Sequence, residues 1–390
     1  IDILCICVIM NIERGEHLVR NEIFVQPSVL DWAIHESQID LVKLLARFPK
    51  LHNWLSTDMS PSFSQLRDFS SYLKVPFGYM FLQEPPDEPS IVREFRTVEN
   101  RSLGRISKNL QDTLLHMQAI VDWMNEYRKL DLGDSPLTFV GASKGITDEE
   151  QLCNTFLHIL DLEAGFSMEH RNPEVLLKSL KERMETQGVL IFVRSMVGSN
   201  AHRPLDVDEF RAFCIADRYA PVIFLNGKDS HYGKVFSLIH EFLHLMLGRN
   251  GVTFTTNDES ICNLATINLL VPSQKIAPML PHRAINAEDI THLASIFNVS
   301  RLALSILLYR TNRISRSLMD SIRNQTSDDV EAKRQRKEAG GPNFHVVYDA
   351  TTSSAFRKAL AYQWSQGYTS YTQAGQLLGV SKPETISQIL

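Results

Sequence analysis

Cysteine is scarce in this chain. Five cysteines occur in 390 residues and no Cys-x-x-Cys is among them, which excludes a disulfide-stapled scaffold and fits a reducing cytoplasm. No apolar run reaches the roughly 18 residues that a helical membrane span needs. The opening segment, IDILCICVIM, is apolar but short, with neither a basic leader nor a small-residue cleavage site, so no signal peptide is expected. A first residue of Ile in place of Met points to a fragment or to sequence upstream. Basic excess is missing too: 40 Lys and Arg stand against 45 Asp and Glu, a net charge of −5, and charge alone will not hold a nucleic-acid backbone. No segment repeats at a fixed period. The hydrophobic fraction of 44% and charged fraction of 22% are those of a globular protein and exclude a disordered one. At roughly 150 residues per domain the length implies two to three domains. Thirteen histidines leave metal chemistry open.

Residues 26–82 read as a run of short helices. IDLVKLLARF carries an apolar stripe at Ile39, Leu41, Val42, Leu44, Leu45 and Phe48, ended by Pro49. LHNWLST follows, and then SPSFSQLRDFSSYLKV, opened by Pro61 and closed by Pro76. QEPPDEPS (83–90) has linker composition. A long helix is expected over 102–131 and another over 172–187, entered at Pro173. GVLIFVRSM (188–196) and PVIFLNG (221–227) read as buried strands. GKVFSLIHEFLHLMLG (233–248) turns helical and stops at Gly248. ESICNLATINLL, AEDITHLASIF and SRLALSILLYRT are helical by period; 325–341 reads as an exposed loop or solvated helix, and 354–390 as helical.

Chemistry concentrates in His240-Glu241-Phe242-Leu243-His244, an HExxH. Residues four apart share a helix face, so both imidazoles can bind one ion, and Glu241 beside them can act as general base. The bland alternative is a pair of surface histidines. Against it, Ile239, Phe242, Leu243, Leu245, Met246 and Leu247 make this helix apolar nearly all round, which marks it as buried. Burying His, Glu and His without partners is costly, and a metal is the simplest compensation. Three protein ligands plus water is the pattern of a catalytic zinc. The best third ligand is Glu259, at the start of the next helix, with Asp258 and Cys262 as competitors. Asn263, one turn on from Glu259, is expected to orient a ligand histidine. Tyr232, His231 and His282 are candidates for stabilising an oxyanion. Val222–Leu225 is expected to hold an extended substrate by edge pairing.

These residues resemble the ImmA/IrrE family of zinc metallopeptidases. The order AFCIADRYAPVIFLNGKDS, FSLIHEFLHLMLG, ESICNLATINLLVP, FNVSRLALSILLYRTNRIS is similar to that family's strand, zinc helix, Glu-x-x-x-Asn helix and following segment. LVKLLARF, LHNWLSTDMSPSFSQL and LKVPFGYMFLQEPP resemble the Cro/repressor-type (XRE-type) helix-turn-helix often fused ahead of it. The resemblance implies an α+β, mostly helical chain with a gluzincin-like core and a short sheet. The expected layout is a helix-turn-helix-like domain at 20–85, a linker at 86–100, the peptidase domain at 101–325 and a helical tail at 340–390. It also implies His240, His244 and Glu259 as zinc ligands, Glu241 as the catalytic glutamate, and a regulatory endopeptidase cutting repressor-like or other regulatory proteins. One position departs from the pattern: Asn268 stands where an acid is usual.

The alternative is a transcriptional, toxin–antitoxin or phage regulator that binds DNA or a partner through the helix-turn-helix-like domain, with an inactive peptidase fold. Its chemistry is thin. Residues 1–85 carry seven Lys and Arg against ten Asp and Glu, and the expected recognition helix, Leu51–Thr57, holds His52 and Asn53 but no Arg or Lys. A unit for protein recognition or dimerisation, with Trp32 and Trp54 in its core, fits better. The tail segment YTSYTQAGQLLGVSKPETISQIL has the same helical-hairpin look, with Gly379 at the turn.

Overall fold

The computed structural model describes residues 23–87, 92, 106–250, 256–335, 348, 351–380 and 382–390, and of 256–260 and 327–335 the backbone alone. The described chain divides once, at Glu88/Pro89.

The first unit holds α1 (Pro27–Ser37), α2 (Leu41–Arg47), α3 (Leu51–Leu55) and α4 (Phe63–Leu73), then a 3-10 turn over Phe77–Phe81. Its helix starts are chemically specified: Pro27 opens α1, Asp40 accepts from the Val42 and Lys43 amides, and Ser62 and Gln65 form a capping box. Leu30, Leu44, Leu51, Trp54, Leu66 and Phe69 share one core, with Trp54 edge-on to Phe69 at 5.6 Å. Trp32 is half-buried against Tyr79. The helix expected over Leu51–Thr57 stops at Leu55, and Thr57 already has a left-handed φ of 64°. Asn53, the residue best suited to reading a base edge, gives its amide to Met59 Sδ at 3.5 Å.

The second unit is organised by three short strands, β1 (Leu190–Arg194), β2 (Ala212–Ile215) and β3 (Val222–Asn226), in the order β1-β3-β2. β1 pairs parallel and β2 antiparallel with β3. β3 is therefore the central strand. This corrects the expectation that Val222–Leu225 offers an edge to a substrate, because both of its sides are already hydrogen-bonded.

Side chains alternate across the strands. Ile191, Cys214, Ile223 and Leu225 enter one core, while Leu190, Phe192, Phe213, Ile215, Val222 and Phe224 enter another. Both faces are covered, which is why the strands read as unbroken apolar runs. Helices supply the covers. They are α5 (Lys108–Glu126), followed by a π turn over Tyr127–Asp131; α6 (Glu149–Leu160); α7 (Pro173–Thr186); α8 (His231–Leu247); α9 (Thr256–Leu270); α10 (Ala287–Ile296); α11 (Arg301–Arg310); α12 (Arg316–Gln335); α13 (Ser354–Ser365); α14 (Tyr371–Leu378); and α15 (Pro383–Ile389). The chain is thus mostly helical with a small sheet, an α+β architecture. Helices α6 to α11 share the first core, and α5 with α13 to α15 share the second. The tail is a layer of this unit rather than an appendage. No single described helix is long and apolar enough to cross a membrane.

The tail is locked to the second layer at the C-terminal end of α14. Leu377 O meets His116 Nε2 at 3.0 Å, Leu378 O accepts from the Tyr348 hydroxyl at 2.8 Å, and Gly379 O accepts from Ser199 N and Oγ. Arg194, also buried, lies 5.4 Å from the Tyr348 ring centroid. Burial, reinforced by the Arg194 charge, pushes His116 down from 6.5 to about 4. With the folded-state value below the unfolded one, the unfolded chain binds the extra proton between those two pH values. This contribution is therefore held above pH 6.5 and lost as pH falls toward 4, by about 3 kcal/mol in all. Urea unfolding at several pH values should show a flatter acid slope for His116→Gln than for the parent chain. Equal slopes would contradict the assignment.

Candidate metal centre

The HExxH motif lies on the most deeply buried helix among the described residues. Ser230 caps α8 by accepting from Gly233 N at 3.0 Å, so the helix begins two residues before the expected Gly233. Gly248 ends it with a φ of 68°, donating to Leu245 O, while Arg249 N donates to His244 O at 3.1 Å. These paired bonds close the last turn at the carbonyl of His244 itself. A side chain at position 248 would meet the backbone of Gly141, so the stop requires glycine on two grounds. The sequence signal that ends the helix thus also fixes the backbone beneath one of the two histidines.

His240 is half-buried, Glu241 buried and His244 fully buried. The two imidazoles turn the same edge to each other: Nε2 to Nε2 is 2.9 Å, with ring planes 77° apart. Phe236, one turn back, stacks on His240. Two nitrogens on one tetrahedral zinc, each bonded at about 2.0–2.1 Å, stand roughly 3.3 Å apart. The observed separation is within a few tenths of an ångström of that, so the pair fits a shared ion. Burial, and after it the neighbouring His240 and Arg249, hold His244 well below the usual histidine range. It is therefore neutral, which is the form that binds a metal.

Among the described residues no three His, Cys, Asp or Glu side chains gather at metal-binding separation. The expected third ligand, Glu259, and its competitor Asp258 belong to the segment described by backbone alone. That backbone places Glu259 in the first turn of α9, three residues before Cys262 and hence on the same side of the helix. Cys262 Sγ in turn lies 3.6 Å from His244 Nδ1.

Asn263, expected to orient a ligand histidine, is exposed to solvent. The 100° step per residue along α9 turns Cys262, not Asn263, toward His244. Nor does Cys262 sit where a ligand to the shared ion would: it faces Nδ1, while the convergence is at Nε2. Of the oxyanion candidates, His231 and Tyr232 lie at the opposite end of α8, about 12–14 Å along the axis from His240. His282 is exposed in the segment before α10. Asn268 donates its amide to Glu149 on α6 and so braces α9 against α6.

Residues 184–309 match a family model described as Peptidase_M78, IrrE N-terminal-like domain. The match covers about a third of the 390 residues, from the end of α7 into α11, and encloses the sheet, α8 and α9. It supports the ImmA/IrrE family and a metallopeptidase-like domain for this segment. No curated protein and no solved structure matches the chain.

Proposed function

We propose that the chain is a zinc-dependent endopeptidase with a regulatory role. In this reading His240, His244 and Glu259 hold the ion, and Glu241 is the general base in hydrolysis of a peptide bond in a repressor-like or other regulatory protein. The observation that carries it is the convergence of His240 Nε2 and His244 Nε2 at 2.9 Å beside a buried carboxylate. Family similarity adds support, since the convergence lies inside the matched segment.

Zinc bound there would supply Lewis-acid polarisation of the scissile carbonyl and a water acidic near neutral pH. The protein does the rest. Burial keeps His244 neutral, so its ring lone pair is available to the ion. Glu241 is adjacent to His240 and screened from bulk water, so its carboxylate can take a proton from the attacking water and return it to the leaving amine. Packing of α8 between the sheet and α9 excludes competing solvent from this helix.

The first unit is assigned to protein recognition rather than DNA binding. Its α3 spans five residues, its surroundings are net acidic, and α2 turns Leu41, Val42 and Leu45 to solvent. Lys43, Arg47 and Lys50 nearby are few for phosphate neutralisation, and Asn53, the one residue of α3 suited to base reading, is bonded to Met59.

The test is proteolysis of repressor-type DNA-binding proteins, followed by mass spectrometry of the products. Cleavage should stop when a chelator removes the metal and return when zinc is restored. Cleavage that survives chelation would exclude the metal-dependent reading.

A further inference from the structure

We infer that Cys262 is a positioning residue that sets the tautomer of His244 and so prepares its Nε2 for the ion. The inference rests on the zinc centre proposed above. Cys262 and His244 are both fully buried, on α9 and α8, with Sγ 3.6 Å from Nδ1. The other ring nitrogen of His244 faces His240 at 2.9 Å.

A neutral imidazole carries one ring proton. If Nε2 offers its lone pair to an ion, that proton is on Nδ1, and a buried N–H requires an acceptor. Cys262 Sγ is placed to be that acceptor, at a length suited to an N–H···S contact. The reverse arrangement, with the thiol donating to Nδ1, puts the ring proton on Nε2 and closes the site to metal. Loading the site therefore needs the thiol hydrogen turned away from the ring.

Position within α9 gives this contact a second consequence. Glu259 precedes Cys262 by three residues, on the same side of the helix. One helix thus brings both a candidate ligand and the group that orients another ligand. Orienting partners of metal-bound histidines are usually carboxylates, carbonyls or water. A thiol is a weaker acceptor, so His244 here is a less basic ligand than one paired with a carboxylate.

The experiment compares wild type with Cys262→Ala, Cys262→Val and Cys262→Ser. Zinc affinity is measured by competition with a chromophoric chelator, and the His244 tautomer by nitrogen-15 NMR of the metal-free chains. Val fills the space of the thiol, so its loss of affinity is separable from loss of packing, and urea unfolding of the metal-free chains checks this. Ala and Val should weaken zinc binding about 10–100-fold, with Ser, which keeps an acceptor, weakened less. The proton of His244 should shift from Nδ1 toward Nε2 in Ala and Val. Affinities of Ala and Val within about twofold of wild type would overturn the role of Cys262 while leaving the metal centre standing. A wild-type chain that takes up no zinc would overturn both.

Discussion

Replacing Glu241 by Gln should lower peptide-bond cleavage by about 10²–10⁴-fold, the usual worth of a positioned general base. The substitution is nearly isosteric. Glu241 is 7% exposed on a helix whose neighbours are packed, so Gln keeps the shape and removes only the proton acceptor. Because Glu241 is not among the proposed ligands, zinc content should be unchanged. That pairing separates catalysis from metal binding: activity falls while the metal stays. A Gln variant that cuts at the parent rate would show that the carboxylate takes no part, and would favour a regulator whose peptidase fold is inactive.

The second large effect is on stability. Phe242, between Glu241 and Leu243, turns away from the histidines into the first core. It stacks on Phe139 with centroids 5.2 Å apart and planes 7° apart, and meets Phe156 edge-on at 5.5 Å. Its exposure is 0%. Truncation to Ala should cost about 3–5 kcal/mol, since the removed ring leaves a cavity that stacked neighbours fill poorly. Urea unfolding of the metal-free chain reads this directly. A loss below about 1 kcal/mol would mean that the residues around Phe242 collapse into the space. The same variant should bind zinc more weakly, because α8 holds His240 and His244 on the side opposite the lost ring.

Local chemistry explains what was legible in the sequence. The HExxH helix announces itself by an apolar run, a four-residue histidine spacing and a terminal Gly248, all of which act within one helix. β1 and β3 are legible as apolar runs for the same reason. The central place of β3 is not, because it depends on β2, four residues long and centred on Phe213-Cys214, which pairs with it antiparallel. That short segment carries too little pattern to be separated from its loops. Helix α6 has its own local signals: Asp148 caps it, Glu149 and Glu150 follow, and Leu152, Phe156 and Leu160 recur at four-residue spacing. α5 starts at Lys108 rather than at the expected 102, because Ser107 caps it by accepting from Leu110 N. At the site, Asn263 is exposed to solvent, and Cys262, one residue before it, is the side chain beside His244. Which of the two meets His244 depends on the rotation of α9 against α8, and that is set by packing across the first core.

The most direct measurement of the central claim is metal content of the purified chain, reconstituted with zinc under reducing conditions, beside His244→Ala and Glu259→Gln. One zinc per chain in the wild type, lost in both variants, is the predicted result. A wild-type chain without zinc, or zinc retained after His244→Ala, would contradict the assignment of this helix as a metal centre.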